Sequence, residues 1–217
     1  MQNQATGLKI IKAYEARMIH ELKHFKIGYS YGGNQDWFPT FMMRIGGCGA
    51  ETACDSSIYF ALHRGLNKIA PENAAKLTRD DYVKFAYEMK PYLSPRMSGI
   101  DRLEIFIDGY SEFLRDRGES RLTMTPFDGD NTYEDAREII KQQIDGRYPI
   151  PTLILNHSNP SFKDYVWHWF LINGYENSGK DFLVKTVTYS HYRWLNLREL
   201  WNTGYQRRGG FVLYHID

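Results

Sequence analysis

Apolar side chains along the first two-thirds of the chain recur at steps of three and four, the spacing that brings them onto one helical face. Leu8, Ile11, Tyr14, Met18, Leu22 and Phe25 share such a face, with Glu15, Arg17, Glu21 and Lys23 elsewhere, and predict an amphipathic first helix. The pattern breaks from Lys26 to Phe41, where Gly28, Gly32, Gly33, Asn34, Asp36 and Pro39 predict an irregular loop. Ala50, Ala53, Ser57, Ile58, Ala61 and Leu62 then predict a helix from about Gly49 to His63, ending near Gly65. Thr78-Arg79-Asp80-Asp81 reads as a capped start, continued by Tyr82, Val83, Phe85, Ala86 and Met89 and stopped by Pro91 and Pro95. Leu103, Phe106, Ile107, Tyr110, Phe113 and Leu114 predict a helix from about Ile100 to Arg117, against which Gly109 counts mildly. Thr123 to Thr132 reads as loop, marked by Pro126, Asp128, Gly129 and Asp130, and Tyr133, Ala136, Ile139, Ile140 and Ile144 predict a further helix closed at Gly146.

The period then changes. Thr152 to Leu155, Trp167 to Tyr175, Phe182 to Thr188 and Phe211 to His215 are short β-branched and aromatic runs between Asn, Ser and Gly turns, as in an antiparallel sheet. The expectation is an α+β fold in one domain, with a helical lobe over about 1–146 and a β-sheet lobe over about 147–217. No repeat or linker separates the two.

Composition changes this picture little. A chain of 217 residues with 42% hydrophobic content is long enough for one sizeable core. With 27 basic and 26 acidic side chains the net charge is +1, and no stretch gathers Lys and Arg with interleaved aromatics, so no nucleic-acid partner is expected. Tyr 16, Phe 12 and Trp 5 supply core volume or the wall of a cleft. The two cysteines, Cys48 and Cys54, are one and a half helical turns apart and project differently, which argues against a disulfide. No run has signal-peptide or membrane-span length, and the expected location is cytoplasmic with no membrane partner.

The candidate chemistry starts at Gly46-Gly47-Cys48-Gly49-Ala50-Glu51. Cys48 falls between glycines at the first turn of a predicted helix, where unpaired N–H groups and the macrodipole favour a thiolate. His168, on an apolar and aromatic strand, offers a base. Cys48, Cys54, His157 and His168 lack metal-ligand spacing, and no phosphate-binding, dinucleotide or Gly-x-Ser-x-Gly pattern occurs, so neither metal nor cofactor is expected.

Three blocks in order, Gly47-Cys48-Gly49 before a helix, Gly146 to Pro151 opening a strand, and His168 followed by Gly174-Tyr175, resemble the papain-like cysteine peptidases. The bacterial branch that includes the bacteriocin-processing peptidase domains is the most similar. The resemblance implies a papain-like fold with Cys48 as nucleophile and His168 as base. It also implies an oxyanion-donating side chain before the cysteine, for which Gln35 is the candidate and Asn34 the next, although the thirteen-residue distance (48 − 35) exceeds the usual spacing. Where those enzymes carry Asp or Asn to orient the histidine, this chain has Thr188, with Thr186 in reserve and Asn173 more remote. The implied function is a cysteine hydrolase that cleaves an amide or peptide bond, in a peptide or small-molecule substrate, through a thioester. An acyltransferase using the same thioester and a non-catalytic binding protein on the same fold are the alternatives.

Overall fold

The computed structural model describes residues 18–96 and 99–217. In chain order the elements are β1 (Met18–Glu21), β2 (Lys26–Ile27), β3 (Ser30–Tyr31), α1 (Phe41–Gly46), α2 (Cys48–Arg64), α3 (Arg79–Met89), α4 (Leu103–Asp116), β4 (Leu122–Asp128), α5 (Tyr133–Asp145), β5 (Ile150–Ile154), β6 (His168–Asn177), β7 (Phe182–Thr188), β8 (His191–Asn196), α6 (Leu197–Trp201) and β9 (Gly209–Ile216). The fold is α+β. Its main sheet is antiparallel, with seven strands in the order β4-β9-β5-β6-β7-β8 and β1 paired to β6. The ten-residue β6 is long enough to pair on one side with β5 through Ile172 and then with β1 from Gly174 onward.

Helix α2 organises the rest. Every residue from Cys48 to Phe60 is buried, so it is surrounded by protein rather than amphipathic. It ends at Gly65, whose left-handed φ of 70° lets its N–H return to the Phe60 carbonyl. One hydrophobic cluster joins α2 (Ile58, Phe60) to α4 (Phe106, Tyr110) and to the sheet (Trp169, Tyr214). Burying each such large side chain contributes on the order of 1.5–3 kcal/mol. Thr78 and Asp81 form a capping box at the start of α3, and Thr132 caps α5.

Several expectations are corrected. Leu8, Ile11 and Tyr14 of the expected first helix lie outside the described residues, but Met18–Glu21 is a strand. Met18 and Ile19 are half exposed there, and the four-residue spacing of Met18 and Leu22 reflects no helix. The expected loop from Thr123 to Thr132 holds β4, an edge strand paired only with β9, where Pro126 is tolerated because one side of the strand needs no N–H. Because β1 and β4 complete the sheet, the division into a helical lobe ending near 146 and a sheet lobe beyond it does not hold. The segment from Lys26 to Phe41, expected as loop, contains the β2–β3 hairpin, and α1, β8 and α6 are additional elements.

Candidate active site

The break between α1 and α2 sets the position of the thiol. Gly47 leaves helical geometry at φ −87° and ψ 4°, and Cys48 begins the next helix. The sulfur is buried, with the backbone N–H groups of Trp169, Gly49 and Cys48 itself acting to lower its pKa. Burial outweighs them, and the Glu51 carboxyl adds to it, so the thiol is pushed up to about 11. The thiolate expected from the helix N-terminus is therefore not the resting form near neutral pH. The helix end acts in the expected direction, but desolvation is larger.

His168 starts β6, one residue before the Trp169 N–H that reaches the Cys48 sulfur. Its Nε2 is 2.7 Å from Thr188 Oγ1 at the end of β7, and its ring stacks on that of Tyr189 at 4.7 Å and 4°. Burial lowers its pKa to about 4, with Asp164 opposing weakly. The Cys48 thiol and the His168 imidazole are thus each uncharged near neutral pH. Tyr189 and Ser190 form a tight turn with φ of 51° and 64°, a conformation seldom taken by non-glycine residues. The turn is held from outside, since Ser190 N–H donates to Gly33 O and Tyr31 N–H donates to Ser190 O, each at 2.9 Å.

Gln35 is buried, and its Nε2 donates to Arg44 O at 2.8 Å. Arg44 lies four residues before Cys48, so this is the carbonyl that an unbroken helix would pair with the Cys48 N–H. The Gln35 amide therefore lies at the same break as the nucleophile, while its Oε1 is buried without a partner. The remaining candidates are engaged elsewhere. Asn34 accepts from Asp36 N–H and caps a short turn, and Thr186 bonds Tyr165 OH at 2.9 Å and Arg193 O at 3.2 Å. Asn173 is fully buried with neither side-chain polar atom bonded, so it makes no side-chain hydrogen bond to His168. Sequence reasoning gave no role to Tyr189, Glu51 or Asp55.

A cavity of about 330 Å³ opens beside Cys48, walled by Ile45, Ile100, Leu153, Trp167 and Trp169, with Arg96 as its charged lining residue. Trp167 is half exposed with a left-handed φ of 52°, and Trp169 is fixed by stacking on Phe106 at 4.5 Å and by donating from Nε1 to Ile100 O. A separate concavity of about 240 Å³ around Asp101, Asp128 and Arg207 shares Leu153 but touches neither Cys48 nor His168. Searches of family models, curated proteins and solved structures return no match to this chain.

Proposed function

We propose that the protein is a papain-like cysteine hydrolase that cleaves an amide or peptide bond through a thioester on Cys48. The observation that carries this reading is the arrangement at the start of α2. A helix-terminal thiol sits against the Trp169 N–H, next in the chain to a histidine oriented by Thr188, on the wall of an apolar cavity.

With Thr188 at Nε2, the Nδ1 of His168 is the nitrogen free to take the thiol proton. As sulfur bonds to the acyl carbon, charge develops on the carbonyl oxygen, and the Cys48 N–H and Gln35 Nε2 are the donors suited to it. His168 returns the proton to the departing amine as the C–N bond breaks. Water then cleaves the thioester, releasing the acid and the thiol. The aromatic and aliphatic walls suit a substrate whose acyl part is bulky and apolar, peptide or small amide. No described helix is long and apolar enough to cross a membrane.

Burial of Cys48 favours a second reading, transfer of the acyl group to an amine, because a thioester in a dry site persists until an acceptor enters. One assay separates these readings from non-catalytic binding. p-Nitroanilides and p-nitrophenyl esters of acetic and of phenylalkanoic acids are turned over with and without hydroxylamine, for the unsubstituted protein and Cys48→Ala. Cys48-dependent release favouring the bulky acyl groups supports catalysis, and hydroxamate in place of acid indicates transfer. Release that survives Cys48→Ala, or no release at all, leaves binding.

A further inference from the structure

We propose that Glu51, one turn beyond Cys48 on α2, is a positioning residue that holds Gln35 in place as oxyanion donor; this rests on the reading of Cys48 and Gln35 above. The segment Gly32-Gly33-Asn34-Gln35 lies across α2 and hangs on two of its buried carboxyl groups. Gln35 N–H donates to Glu51 Oε2 at 3.0 Å, and Gly33 N–H donates to both oxygens of Asp55 at 3.2 Å. The approach is close enough to require glycine. A Cβ on Gly32 would lie 2.6 Å from Asp55 Oδ2, and one on Gly33 would lie 2.0 Å from the Tyr82 hydroxyl that itself donates to Asp55.

On its other side the same segment is fixed to the turn after Thr188 through the Ser190–Gly33 bond. Two backbone anchors on α2 and one on the histidine side thus set the position from which Gln35 Nε2 reaches Arg44 O. Without the Glu51 anchor, the residue bearing the amide loses its nearest attachment to the nucleophile's own helix. Glu51 and Asp55 are four residues apart and buried together. Burial first, and Asp55 second, push the Glu51 carboxyl well above the usual range. A protonated carboxyl still offers its carbonyl oxygen to the Gln35 N–H, so a glutamine side chain at position 51 should reproduce the bond. An apolar side chain of similar length should not.

The test compares two reactions of Cys48, each followed by intact mass. Acylation by p-nitrophenyl acetate passes through an oxyanion, whereas alkylation by iodoacetamide does not. Glu51→Met is expected to slow acylation about tenfold or more, with alkylation changed by less than about threefold. Glu51→Gln restores acylation, and Gln35→Ala reproduces the loss without adding to it when combined with Glu51→Met. Equal slowing of both reactions, or of neither, in Glu51→Met overturns the proposal while leaving the catalytic reading intact. Absence of any Cys48 acylation in the unsubstituted protein overturns the catalytic reading and this proposal with it. Should Glu51→Met fail to fold, hydrogen exchange of the Gln35 amide in Glu51→Gln decides. Retained protection together with retained acylation supports the proposal, and lost protection with unchanged acylation overturns it.

Discussion

His168 Nε2 and Thr188 Oγ1 are 2.7 Å apart, with the Tyr189 ring parallel to the imidazole immediately beyond. A hydroxyl can accept from the imidazole N–H, but it brings no charge to stabilise an imidazolium. Thr188→Val keeps the shape and removes the acceptor. It should lower the acylation rate of Cys48 about tenfold, with Thr188→Ser near the unsubstituted value. Equal rates for Val and Thr at position 188 would mean that packing against Tyr189 alone orients His168.

The two uncharged groups have pH signatures in stability. His168 is held at about 4 against an ordinary 6.5, so it contributes stability above pH 6.5 that is lost as pH falls toward 4. The size is about 3 kcal/mol. Urea unfolding between pH 7 and pH 4 should show this acid loss, and His168→Phe should flatten it even if overall stability drops. The Cys48 thiol, raised from 9.0 to about 11, contributes in the opposite range: its share is complete below pH 9 and lost as pH rises toward 11.

The raised Cys48 thiol also has a signature in reactivity. Iodoacetamide should alkylate Cys48 with a rate that climbs through pH 9 to 11, with no plateau between pH 4 and 7 of the kind a thiolate–imidazolium pair produces. A plateau there would show that the charged pair exists before substrate binds.

Gly109 tests the packing of α4 against the segment before it. By helix propensity alone, alanine should improve the helix by nearly 1 kcal/mol. A Cβ on Gly109, however, would lie 2.3 Å from Tyr92 O and 2.9 Å from Leu93. Gly109→Ala should therefore destabilise the fold by about 1–3 kcal/mol in chemical denaturation.

The helical run from Cys48 to Arg64 was legible because its apolar spacing, small residues and closing Gly65 all agree. The capped start at Thr78 was legible through side-chain chemistry that acts within three residues, whereas Thr132, which caps α5 in the same way, was read only as the end of a loop. Strand β4 was not, because Pro126 and the Asp128-Gly129-Asp130 run carry turn signals that an edge strand accommodates. Strand β1 was misread because Met18 and Leu22 are spaced as in a helix, whereas their conformation is set by pairing with distant β6. At the site, Thr188 lies 2.7 Å from His168, a position that residue spacing alone did not single out. The Glu51 and Asp55 anchors had no local signal, since a carboxylate on a helix looks alike whether it is buried or solvated. The burial that raises the Cys48 thiol likewise comes from tertiary packing, which the residues around Gly47 do not reveal.

The most direct measurement is trapping of the thioester itself. The protein is mixed with a p-nitrophenyl phenylalkanoate at neutral pH, quenched in acid within seconds and mapped by mass spectrometry, alongside His168→Ala. The account predicts one acyl group on Cys48, none on Cys54, and loss of the adduct in His168→Ala. An unmodified Cys48, or an adduct that forms equally fast without His168, would contradict it.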